Sequence, residues 1–149
     1  MAKQSFINLS VKGQAIILAV LLVGCAGTPP KQAGVYQLQL RDCPSSPNCV
    51  SSHEINTEHY ILPIATPHQP QTSIEQLKNI VSTHPNMSLI KQTDNYLYVQ
   101  FTSSVLGFVD DLEFIVDETH IHVRSASRLG YSDFGANRKH IEAIRKQFK

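Results

Sequence analysis

The sequence predicts an α+β fold, a four-stranded antiparallel meander with two helices on one face, forming a two-layer sandwich. Three observations carry this expectation. An apolar stripe at helical spacing lies near residues 73–83, strand-like alternation dominates residues 87–124, and helical spacing returns at the C-terminus. The 149 residues are 42% hydrophobic and 17% charged, which fits one globular domain and excludes a disordered charged tail. Thirteen Lys and Arg against twelve Asp and Glu give a net charge of +1, so there is no electrostatic footprint for nucleic acid.

The first two dozen residues read as a targeting segment. Lys3 and Lys12 precede the apolar run Ala15-Ile16-Ile17-Leu18-Ala19-Val20-Leu21-Leu22-Val23. At ~1.5 Å per residue such a run covers roughly half of a ~30 Å hydrocarbon core, too little for a stable span but suited to a secretory signal. Leu22-Val23-Gly24-Cys25 resembles a bacterial lipobox, in which the cysteine thiol takes diacylglycerol. Residues 1–24 are therefore expected to be a lipoprotein signal peptide and Cys25 a membrane anchor, made stable by two or more acyl chains. Cleavage would remove two lysines and no acid, leaving eleven basic against twelve acidic side chains. Ala26, where Asp would mark retention, resembles precursors sorted to an outer membrane. The expected location is thus the cell envelope, on the periplasmic side of the outer membrane if the organism is diderm.

Residues 25–37 carry Gly27, Pro29, Pro30 and Gly34 with little apolar pattern and read as a tether to a single domain over 38–149. Cys43 and Cys49 flank Pro44-Ser45-Ser46-Pro47-Asn48, a spacing unlike zinc knuckles or a Cys-x-x-Cys redox site. Export places them in an oxidising compartment, where a structural disulfide is the expected state. Tyr60-Ile61-Leu62-Pro63-Ile64 reads as an edge strand or an extended segment, because Pro63 cannot donate to a central ladder.

Thr72-Ser73-Ile74-Glu75 has the form of a capping box. Ile74, Leu77, Ile80 and Val81 follow on one helical face, and Pro85 bars extension past His84. Strands follow at Met87–Lys91, then where Leu97, Val99 and Phe101 alternate with polar or aromatic neighbours, where Leu112, Phe114 and Val116 alternate with acids, and where Ile121 and Val123 alternate with His120, His122 and Arg124. Asp94-Asn95 suits a turn. A turn over Asp117–His120 sets Phe114 opposite Val123, Glu113 opposite Arg124 and Asp110 opposite Ser127. Opposite charges so placed contribute a few tenths to about 1 kcal/mol. Phe134, Ile141, Ile144 and Phe148 form the last helical stripe, capped by Ser132 or Asp133. Asn137 and Arg138 interrupt that stripe, and a buried polar group there needs a fixed partner.

Two stretches are unusually polar for their apolar surroundings: Gly107-Phe108-Val109-Asp110-Asp111-Leu112-Glu113-Phe114, and Arg124-Ser125-Ala126-Ser127-Arg128-Leu129-Gly130-Tyr131-Ser132-Asp133-Phe134-Gly135-Ala136-Asn137-Arg138. Together with Cys43-Pro44-Ser45-Ser46-Pro47-Asn48-Cys49-Val50-Ser51-Ser52 they resemble the bacterial and plastid family called domain of unknown function 1499, over about Cys43 to the C-terminus. That family has no established activity. The resemblance implies a domain boundary and an envelope setting, and supplies no reaction.

Three readings compete for the candidate residues Asp110, Asp111, Glu113, Arg124, Ser125, Ser127, Arg128, Asp133, Asn137 and Arg138. In the first, acids and arginines form a charge network pinning the last helix to the sheet. In the second, Arg124, Arg128, Ser125, Ser127 and the helix start near Ser132–Gly135 hold a small anionic ligand or lipid head group. In the third, Asp110 or Asp111 is the acid/base of a hydrolase. His120-x-His122 beside Asp117 has two ring ligands on one strand face but no evident third and fourth, so no metal or other cofactor is expected.

Overall fold

Strand pairing organises the computed structural model, which describes residues 27–29, 39–55, 57–66 and 69–148. The expected signal segment, Cys25 and most of the tether lie outside these residues. The strands are β1 (Cys49–Ser51), β2 (Ile64–Ala65), β3 (Met87–Gln92), β4 (Tyr96–Thr102), β5 (Val109–Val116) and β6 (His120–Ser127). The helices are α1 (Pro70–Thr83) and α2 (Ala136–Arg145). The sheet runs β1-β6-β5-β4-β3, with β2 also paired to β6.

The meander is therefore β3 to β6, inside a six-stranded sheet rather than alone. Its register matches the sequence: Asp110 pairs with Ser127, Glu113 with Arg124 and Phe114 with Val123. The N-terminal segment supplies the extra strands. Without them β6 would present an open edge of unpaired amides. Instead β1 covers one stretch of that edge and β2 another. The Cys43–Cys49 disulfide joins the first residue of β1 to the start of the loop leading into it.

Both helices pack on one face. Ile74, Leu77, Ile80 and Val81 of α1 and Ile141 and Ile144 of α2 meet Leu97, Val99, Leu112, Phe114, Val116, Ile121 and Val123 in one buried cluster. Each such side chain contributes roughly 1.5–3 kcal/mol on full burial, so this layer drives folding. The opposite face is not a plain solvated surface. There Leu40 covers Tyr96, Tyr98 and Ile115, and Asp111, Glu113 and Arg124 are buried around them.

Two helix starts differ from the sequence pattern. α1 begins at Pro70, ahead of Thr72, and Gln69 at its N-cap makes no side-chain cap bond. The fixed φ of proline is already that of a first helical turn, so Pro70 starts the helix and the expected capping box lies inside it. Phe134 is not on the α2 stripe. It has φ 52, precedes Gly135 with φ 79, and is 90% exposed. These two left-handed residues swing the chain before α2, so the helix begins only at Ala136.

Candidate functional site

The sheet divides the polar residues into two groups, because alternate side chains of a strand point to opposite faces. Asp111, Glu113, Arg124 and Arg128 lie on the face away from the helices. Arg128 grips Asp111 in a two-pronged ion pair, Nε to Oδ2 at 2.9 Å and Nη2 to Oδ1 at 2.8 Å, while Tyr98 Oη donates to Oδ1 at 2.6 Å. Such two-pronged contact is the geometry at which arginine–carboxylate pairs are strongest. Glu113 is paired in register with Arg124, yet its ion pair is with Arg41 at 3.2 Å. Arg124 reaches instead toward the Asp42 carbonyl at 3.5 Å. Burial pushes the Glu113 carboxyl up, opposed by the charges of Arg41 and then Arg124, and pushes the Arg124 guanidinium down, opposed by the charge of Glu113.

Ser125, Ser127, Asp110, Asp133 and Asn137 lie on the helix side. Asn137, fully buried at the start of α2, is the partnered polar residue the stripe required. Its Oδ1 accepts from Ser125 Oγ, and its Nδ2 lies 2.8–3.0 Å from Asp133 Oδ2, Ser127 Oγ and the Asn48 carbonyl. The amide thereby ties β6, the disulfide loop and α2 together. The N-cap of α2 is Gly135 rather than Ser132 or Asp133, but Asp133 braces the helix start from two residues earlier, accepting from the backbone N–H groups of Gly135 at 3.0 Å and Asn137 at 2.8 Å. Burial would raise the Asp133 carboxyl, but these donors hold it below the usual carboxylate range. Among the described residues Arg138 joins no acid network: it donates to the backbone carbonyls of Tyr60 and Glu58.

Beside Asn137 opens a cleft of about 270 Å³ between the β4–β5 loop, the β6–α2 loop and α2. Its floor is a row across three strands, since Phe101 pairs with Asp110 and Asp110 with Ser127. Phe108, Leu129 and Phe134 form its walls, and His140 of α2 stands over the floor. Ser127 Oγ donates to Asp110 Oδ1 at 2.5 Å. The other carboxylate oxygen faces His140 Nδ1 at 3.5 Å, an ion-pair distance too long for a good hydrogen bond. The His140 ring lies 4.0 Å from the Phe101 ring, centroid to centroid. Burial pushes the Asp110 carboxyl up, against the hydrogen bond from Ser127 and the charge of His140. Burial pushes the His140 ring down, against the charge of Asp110. An acid and a histidine, each driven toward its neutral form, thus share one end of an apolar cleft.

The expected arginine–serine pocket does not assemble. The guanidiniums of Arg124 and Arg128 are on one side of the sheet, and Ser125, Ser127 and the α2 start are on the other. One residue of register separates them in sequence, and that single step reverses the face. The expected single network is likewise two, with only the helix-side cluster touching α2. Sequence reasoning missed His140, Phe101 and the cleft walls. A signal was present: His140 is three positions after Asn137, hence on the same helical face. His122 Nε2 pairs with Asp117 Oδ2 at 2.9 Å, and its ring packs against His53. No group of three or more His, Cys, Asp or Glu side chains is arranged to hold a metal among the described residues.

Fold and site together define a two-layer α+β domain with a salt-linked outer face and an acid–histidine cleft at one end of its sheet. The family model for a protein of unknown function, DUF1499, matches residues 39–148. The chain belongs to that family. Among curated proteins, none matches it.

Proposed function

We propose that this is a lipid-anchored binding protein of the cell envelope, held at the membrane through acylated Cys25, whose cleft takes a small molecule. The observation that carries the reading is the Asp110–His140 pair in a hollow floored in part by Phe101 and walled by Phe108, Leu129 and Phe134. A few polar groups converging in an apolar pocket is the usual make-up of a ligand site. Asp110 and Asp133 line it and no lysine or arginine does. The best-matched occupant therefore has an apolar body and a hydrogen-bond donor or cationic group addressed to Asp110. The small-anion or lipid-head-group alternative draws less support, because Arg128 is committed to Asp111 on the far face. A small apolar amphiphile also suits an envelope setting.

The hydrolase reading is favoured by one feature. Asp110 and His140 are adjacent titratable groups in a water-restricting cleft, the setting of general acid–base pairs. Asp111 is unsuited to that role, since Arg128 and Tyr98 occupy both its oxygens.

Native mass spectrometry of the protein purified from membranes tests the proposal. A retained adduct in the wild type that is lost in Asp110→Asn and in Phe108→Ser supports the cleft. An adduct that survives both substitutions places the ligand elsewhere.

A further inference from the structure

Six large apolar side chains are exposed on the two loops that border the cleft. Val105, Leu106 and Phe108 belong to the β4–β5 loop, and Leu129, Tyr131 and Phe134 to the β6–α2 loop; Val105 is 91% exposed and Phe134 90%. The two loops lie together, since Arg128 N donates to the Val109 carbonyl at 3.0 Å and Phe108, Leu129 and Phe134 share the cleft. Between Ser103 and Phe108, and between Leu129 and Gly135, there is no basic residue, and the one acid, Asp133, is spent on amides of its own loop and of α2. Exposed apolar side chains gathered on two adjoining loops mark contact with a partner or a membrane.

The chain itself indicates which. Gly27 lies against this same end: a Cβ built on it would stand 2.9 Å from Arg128 Cβ and 3.2 Å from Leu129 Cγ. Cys25 is two residues earlier, and two residues of extended chain reach at most about 7 Å. An acyl anchor on Cys25 would therefore lie within that reach of Gly27, nearer the Leu129 end of the sheet than the other.

We infer that the β4–β5 and β6–α2 loops are a lipid-contacting face, which seats the domain on the bilayer with its cleft mouth toward the lipid. This inference rests on the anchor reading above. Contact is through apolar side chains, so it persists on neutral phosphatidylcholine and is insensitive to salt, unlike attachment by a basic patch.

The chain contains no tryptophan, so single tryptophans report on position. Phe134→Trp and Val105→Trp probe the proposed face. Leu62→Trp is the control, because Leu62 is 64% exposed beside Pro63 and Arg145 at the other end of the sheet. Each full-length variant is produced in a bacterium, purified from membranes, weighed intact and reconstituted into phosphatidylcholine vesicles with bromines on the acyl chains. Quenching at least about twofold stronger at positions 105 and 134 than at 62, unchanged by high salt, is the expected result for side chains that enter the acyl boundary. Equal quenching at both ends overturns the inference. So does shielding of the Phe134→Trp indole from iodide that arises only as protein concentration increases, which would assign the face to a second copy of the chain. An intact mass showing unmodified Cys25 sinks the anchor reading separately. The same thiol, coupled to a maleimide lipid, then still reports which end enters the bilayer.

Discussion

Replacing Arg128 with methionine isolates the far-face ion pair. Methionine keeps much of the apolar stem of arginine but removes the guanidinium. Arg128 and Asp111 have side-chain exposures of 6% and 3%, so the carboxylate left behind cannot turn to water. It keeps the Tyr98 hydroxyl at 2.6 Å and loses both guanidinium contacts. Breaking a buried pair from one side costs about 3–5 kcal/mol, most of it the stranded charge. For a domain of this size about 1 kcal/mol moves Tm by roughly 4 °C, so Arg128→Met should melt on the order of 15 °C lower. Calorimetry or circular dichroism at pH 7 reads this directly. The double variant Arg128→Met with Asp111→Leu should recover at least about 2 kcal/mol of the loss, because an apolar pair replaces the ions without leaving one unpaired. Arg138→Met, which removes only hydrogen bonds to backbone carbonyls at the edge of the helix layer, should cost about 1 kcal/mol. A Tm for Arg128→Met within about 3 °C of wild type, less than 1 kcal/mol on the same scale, would refute the reasoning, since the pair would then carry no stranded charge.

Asn137→Leu should destabilise by roughly 3–4 kcal/mol in a urea titration, because Ser125, Asn48 and Asp133 lose a shared partner inside the protein. Opening the disulfide with Cys43→Ser should cost about 2 kcal/mol on the chain-entropy account of so short a loop. Asp110→Asn should melt no lower than wild type at pH 7. Burial holds the folded carboxyl above its unfolded value, so its ionisation weakens the fold as pH rises through that interval; the amide escapes this and still meets Ser127, and the advantage should vanish in acid below about pH 4. His140 has the opposite sense: its folded value is lowered, so stability falls as pH drops from about 6.5 toward that value, and His140→Gln should flatten this part of the Tm–pH curve.

Most of the meander was legible because strand alternation and the Asp117–His120 turn leave one register. That register correctly paired Glu113 with Arg124 and Asp110 with Ser127. It could not say that Glu113 would prefer Arg41, which arrives from a segment 72 residues away. The two edge strands were only partly legible: residues 60–64 read as extended chain, but the β2 pairing falls at Ile64–Ala65, and β1 and β2, three and two residues long, exist only because β6 offers an edge. Asn137 announced itself by breaking an apolar stripe, and the need for a fixed partner followed, but not which residues would supply it: Ser125, Ser127, Asn48 and Asp133 are brought to it by the fold. Phe134 misled, since an aromatic at helical spacing looks like core unless the left-handed backbone beside Gly135 is known. The cleft escaped notice for the same reason. Its walls come from loops, and loop geometry is not periodic.

Occupancy of the Asp110–His140 cleft by a molecule from the envelope decides between the proposed function and its rivals. A crystal structure of the protein purified from its own membrane, with any co-purifying molecule retained, tests that most directly. We expect density for an apolar molecule lying against Phe101, Phe108 and Leu129, with a polar atom within about 3 Å of an Asp110 oxygen. A co-purified ligand bound against Arg124 or Arg41 on the far face, with only ordered water between Asp110 and His140, would contradict it.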